Sequence, residues 1–192
     1  MTDSPLIEAK SISKRFGALA ALTDVDLAIR SGEVLALLGD NGAGKSTFIK
    51  VLSGAHPQSD GELLMDGKPV SLSSPQDAAD LGIATIFQEL ALSENLSIAE
   101  NVFLGRELTH RFLGVPLLRR AAMKRRVKEL LEELDAHISD PEAPVGALSG
   151  GQRQAVAICR ALNLNARLVI MDEPTAAPVS YTHLRAHETG RN

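Results

Sequence analysis

Three short stretches of this chain carry residues whose types and spacing could do chemistry. Gly39, Asp40, Asn41, Gly42, Ala43, Gly44, Lys45, Ser46 and Thr47 fit the phosphate-binding loop pattern of glycines followed by Lys-Ser. A glycine-rich turn at a helix start lets several backbone N–H groups converge on phosphate oxygens, and the helix dipole adds partial positive charge there. By position in the pattern, Lys45 is expected to reach the beta and gamma phosphates, Ser46 to ligate Mg2+ through its hydroxyl, and Thr47 to contact the alpha or beta phosphate. The second stretch is the apolar run 168–171, which ends in Asp172-Glu173. A carboxylate at the carboxyl end of a buried strand sits on the rim where open α/β sheets bind ligands. Asp172 is therefore expected to hold Mg2+ or its water, and Glu173 to orient and polarise an attacking water. The third is Leu148-Ser149-Gly150-Gly151-Gln152. Ser149 reads as a helix cap, yet two consecutive glycines in a first turn cost stability, so capping alone does not account for them.

These groups need elements to hold them. Residues 34–38 form a short apolar run that leads into the glycine loop, and 45–52 read as a helix closed by Ser53-Gly54: the strand, loop, helix unit that such a loop requires. Val25, Leu27 and Ile29 alternate with Asp26, Ala28 and Arg30, the period of a half-buried strand in an antiparallel N-terminal part. Residues 62–65 and 68–72 flank Asp66-Gly67, a hairpin signal, and 83–87 read as another buried strand. Ser97 and Glu100 have capping-box spacing, and Met123, Val127, Leu130, Leu131 and Leu134 recur at helical spacing within 119–136. That predicts a helical insert. Residues 139–147, with two prolines and a glycine, read as its connecting loop, followed by a helix from Ser149 to about Leu162 and a strand at 168–171.

Composition narrows the classes. The chain has 192 residues, 44% hydrophobic and 23% charged, which is ordinary globular chemistry for one domain. A formal net charge of -4 argues against wholesale nucleic-acid binding, and no apolar run approaches a membrane span. The first residues lack the charged-then-apolar pattern of a secretory signal, so a cytoplasmic location is expected. The single cysteine, Cys159, lies among Ala157, Ile158 and Leu162 and reads as a buried helix position, not a reactive thiol.

The three stretches, in this order, resemble the ATP-binding cassette family, whose signature sequence is Leu-Ser-Gly-Gly-Gln, and the resemblance runs from about Ile7 to Ala177. It implies an α/β P-loop NTPase fold of RecA-like type: a parallel core sheet (5–88 and 156–177), an antiparallel N-terminal part, and a helical insert at 89–155. It implies ATP and Mg2+ as ligands. Phe16 falls where the family stacks an aromatic ring on adenine. Gln88 falls at the glutamine loop, which touches Mg2+ or the water and links the nucleotide to the insert. Ser149, Gly150, Gly151 and Gln152 would read the terminal phosphate of ATP held by an opposite subunit, so hydrolysis would require a dimer. Residues 88–107 and 171–177 look like those of the simple-sugar importers. Such ATPases sit peripherally on the cytoplasmic face of two membrane permease subunits, with an external sugar-binding protein acting indirectly. The alternatives are a soluble cassette ATPase unconnected with transport and an inactive nucleotide-binding fragment.

The last residues depart from the family. Residues 179–189 look like one translated frame of a transposase-type sequencing adapter, so 178–192 are expected to be a non-native tail and the C-terminal part of the domain to be missing. His183 and His187 stand four apart, but that spacing follows from the adapter frame, and neither is expected to bind metal or to be the family's phosphate-sensing histidine.

Overall fold

The computed structural model describes residues 4–87, 89–112 and 115–172. Two compact units divide the chain at Ala84/Thr85.

The first unit is built on four antiparallel strands in the order β2-β1-β3-β4: β1 (Ile7–Phe16), β2 (Leu19–Ile29), β3 (Asp60–Met65) and β4 (Lys68–Val70). The alternation at 25–30 is realised in β2, where Ile29 is buried while Asp26 and Ala28 are exposed. Ile29 pairs with Ile7, and Ile7 pairs in turn with Met65, which stacks three buried apolar side chains across adjacent strands. The β3–β4 turn takes positive φ at both Asp66 (51°) and Gly67 (73°), the mirror-image geometry whose twist suits a two-residue hairpin. Helix α1 (Lys45–Leu52) has the predicted bounds and buries Phe48, Ile49, Val51 and Leu52. Sequence reading missed α2 (Pro75–Asp80), although its signal was present. Ser74 caps Asp77 N–H, Asp77 caps back, and proline occupies the first helical position.

The run 34–38 was expected to be a buried strand, and the structure corrects this. Among the described residues it belongs to no strand, with Val34 94% and Leu38 87% exposed. A parallel strand is made by ladder partners on its flanks, and without them an apolar sequence alone does not produce one.

In the second unit, α3 (Ile98–Phe103), α4 (Arg120–Glu133) and α5 (Gly150–Asn163) contact one another pairwise. All five predicted insert positions, Met123, Val127, Leu130, Leu131 and Leu134, are buried, as are Val102, Phe103, Val156 and Ile158 in the same unit. The insert is not purely helical, however. It also carries an antiparallel hairpin, β6 (Thr109–Phe112) with β7 (Val115–Leu118). The loop 139–147 ends in a short 3-10 turn at Val145–Ala147. Strands β5 (Ile83–Ile86) and β8 (Leu168–Met171) pair as a two-stranded parallel sheet.

Candidate functional site

The glycine loop reaches its shape through backbone geometry that side chains would obstruct. Gly42 and Gly44 take φ of 87° and 89°, in the left-handed region. At Gly44 a Cβ would lie 2.8 Å from both the Ala21 carbonyl oxygen and Leu22 Cδ2, so β2 and the loop approach too closely for any other residue. Ala43 N–H donates to Asp40 O at 3.1 Å, which closes the turn before the helix. Lys45 Nζ donates to Gly39 O at 2.6 Å and Asp40 O at 2.9 Å. Its ammonium is thus held over the loop's own carbonyls, and the first N–H groups of α1, the helix that Lys45 opens, have no intrahelical partner. Cation, dipole and open N–H groups together fit a polyphosphate. Ser46 and Thr47 follow in the first turn of α1.

Phe16, at the end of β1, is 43% exposed, so its ring is not part of the core. The ring meets His56 edge-on with centroids 5.5 Å apart, and Lys14 Nζ lies 5.1 Å from its centre. Cation and imidazole hold the ring while leaving it accessible for stacking.

The signature segment opens α5 as predicted. Ser149 Oγ accepts from Gln152 N–H at 3.3 Å, while Gln152 Oε1 accepts from Ser149 N–H at 3.0 Å, a reciprocal capping box. Gln152 Nε2 also donates to His137 O at 3.2 Å, so this glutamine faces its own helix and loop. Gly150 differs from Gly44: a Cβ there would meet nothing within 4 Å. The fold of this chain does not itself demand glycine at 150.

Asp172 follows β8, and its N–H donates to Ile86 O at 2.9 Å, tying it to the end of β5. Beside these strand ends lies a cavity of about 410 Å3 with Leu90, Leu92 and Val145 in its wall and Glu89, Glu94 and Arg153 among its polar groups. Gln88 and Glu173 lie outside the described residues, as do Pro178, the tail, His183 and His187. Ser46 and Asp172 fall in different units, each set on its own backbone.

Two residues unmarked by sequence reading shape this region. Asn101 is fully buried, its Oδ1 accepting from Ser93 N–H at 2.8 Å and its Nδ2 lying 3.0 Å from Ser93 O and Ser97 O and 3.3 Å from Leu96 O. Arg160, on α5, donates to Ala91 O at 3.0 Å and Leu90 O at 3.1 Å. Burial lowers the Arg160 pKa from its ordinary value. No motif contains either partner pair, and a sequence gives only an asparagine in a helix and an arginine on an otherwise apolar face. Cys159 is buried as expected, and burial pushes its thiol up to about 12, so it is not a nucleophile at neutral pH.

A P-loop architecture with a capped signature helix defines a nucleotide-binding α/β ATPase cassette. A family model described as ABC transporter matches residues 22–176. The chain is 47% identical over 98% of its length to the xylose/arabinose import ATP-binding protein of Sulfolobus acidocaldarius, spanning 74% of that protein. It is 51% identical over 90% of its length to a ribose import ATP-binding protein of Rubrobacter xylanophilus, and spans only 34% of it. Among solved structures, an ATP-binding cassette of an ABC transporter superposes with a TM-score of 0.75 at 28% identity, covering 90% of this chain and 70% of the other. A dimeric cassette bound to ADP and Pi superposes at 0.71 and 27%, covering 92% and 78%. The chain belongs to the ABC transporter family. Among the described residues, no helix is long and apolar enough to cross a membrane.

Proposed function

We propose that this chain supplies the ATP-binding and hydrolysing domain that drives a simple-sugar importer. The observation that carries the reading is the loop 39–47, with Lys45 Nζ fixed over it and α1 behind it. Lys45 and the loop N–H groups bind the phosphates, while Phe16 stacks on the adenine ring. Hydroxyl and carboxylate donors at Ser46 and Asp172, with the Gln88 amide, are the oxygen set that suits Mg2+, which neutralises phosphate charge when bound. Glu173 orients a water for attack on the terminal phosphorus as the bond to the leaving diphosphate breaks. Ser149, Gly150 and Gly151 act on the ATP of a second cassette, and the bare Gly150 surface supports that close approach. Similarity to the xylose/arabinose, ribose and fructose import proteins supports the sugar branch. Cytoplasmic loops of membrane proteins carry excess Lys and Arg, and the cavity beside Glu89 and Glu94 offers them acidic partners. We place the protein on the cytoplasmic membrane face through two permease subunits, with the sugar-binding protein acting at a distance.

The test is assembly of the intact gene product with the permease subunits encoded beside it. A sugar-loaded binding protein should raise ATP turnover, and Lys45→Ala should reduce that turnover at least a hundredfold while weakening nucleotide binding. Turnover unchanged by Lys45→Ala overturns the site. Stable association with ribosomes and none with permease overturns the transport reading.

A further inference from the structure

The β6–β7 hairpin has no place in the nucleotide site, and every described side chain in it is exposed. Val115 is 56%, Leu117 43% and Leu118 46% exposed, and Leu104 and Leu108 just before it are exposed as well. A lone two-stranded hairpin is marginal in water, and one with this much apolar surface calls for a covering partner. The pairing register sets Leu117 opposite His110, Pro116 opposite Arg111, and Leu118 opposite Thr109. Arg119 N–H continues the ladder by donating to Leu108 O at 2.8 Å, which brings a further arginine to the hairpin base.

Charge identifies the partner. Residues 104–128 hold eight of the chain's 20 Lys and Arg and a single acid, Glu107, in a chain of net charge -4. On α4, Arg126 and Lys128 are paired with Glu129, Glu133 and Glu132, whereas Arg111, Arg119 and Arg125 make no salt bridge among the described residues. Permease cytoplasmic loops are themselves basic and would be repelled here. The exposed run 34–38, by contrast, is flanked by Glu33 and Asp40 and has no such basic surround. Strand alternation sets Val115 and Leu117 on one face of the ribbon and Arg111 with Leu118 on the other. An anionic lipid surface attracts that combination on so thin a ribbon: Val115 and Leu117 enter the headgroup boundary while the long arginine stems reach round the edge and their heads meet phosphate.

We propose that the paired strands β6 (Thr109–Phe112) and β7 (Val115–Leu118), with Arg119, form a membrane-surface anchor that binds anionic lipid directly. The proposal does not depend on ATP hydrolysis. Flotation of the 192-residue chain with vesicles separates bound protein, which rises, from aggregates, which sediment. The chain should float with vesicles containing phosphatidylglycerol and not with phosphatidylcholine alone, and 0.5 M salt should release it. Arg111→Gln with Arg119→Gln should cut partitioning roughly thirtyfold, about fivefold per arginine, and the paired lysine variants should retain it. Val115→Ser with Leu117→Ser should abolish flotation while circular dichroism stays unchanged. Absence of flotation, equal flotation on uncharged vesicles, or indifference to the arginine variants each overturns the proposal. So does a solution dimer that the Val115/Leu117 variant converts to monomer, since the hairpin would then be covered by a second copy.

Discussion

Asn101 shows how much one side chain can decide near the site. It is fully buried and bridges Ser93, Leu96 and Ser97, so the loop that follows residue 88 is pinned to α3 by an amide with no solvent alternative. Removing one partner from a buried network leaves the others unsatisfied, at about 1–3 kcal/mol for each orphaned group. Asn101→Ala should therefore lower unfolding stability by about 2–4 kcal/mol, read from the shift of the urea midpoint at constant slope. Asn95→Ala, at an exposed position in the same loop, should stay within about 0.5 kcal/mol. Equal losses in the two variants would show that Asn101 has no special part.

At the scale of elements, α5 does two jobs at opposite ends. Its first turn carries the signature residues in a capping box, and Arg160 near its last turn grips Leu90 O and Ala91 O. Ala91 takes a φ of 47°, rare for a residue with a Cβ, so the loop needs such external support. A charge-assisted bond contributes about 1.5–3 kcal/mol, so Arg160→Leu should raise amide exchange across residues 89–94 at least tenfold. Arg160→Lys should recover only part, because an ammonium lacks the planar fork that meets two carbonyls at once. Unchanged exchange in that loop, measured by mass spectrometry against α1 as internal reference, would refute the clamp.

For the molecule as a whole, the exposed run at Val34, Leu35, Leu37 and Leu38 is the main liability. A contiguous apolar stretch with open backbone groups recruits other chains. The chain alone should self-associate as its concentration rises, and Val34→Lys with Leu38→Lys should shift it toward monomer in sedimentation velocity without altering α1 or the first sheet. Persistent aggregation of that variant would place the sticky surface elsewhere.

The sequence by itself determined what local spacing encodes. The bounds of α1, the Asp66-Gly67 turn, the capping box at Ser97, the cap at Ser149 and the five-residue apolar stripe from Met123 to Leu134 all rest on contacts between near neighbours. The glycine loop was legible for the same reason, since its geometry and its lysine lie within nine consecutive residues. Tertiary structure decided the rest. Residues 34–38 and 83–86 are both short apolar runs, yet only the second is a strand, because a ladder partner and not apolar composition makes one. The β6–β7 hairpin escaped notice because its exposed strands lack the alternation that burial imposes. Arg160 and Asn101 bind backbone atoms, Arg160 some 70 positions away in sequence, and backbone carbonyls look alike in every residue. Only folding reveals which of them meet.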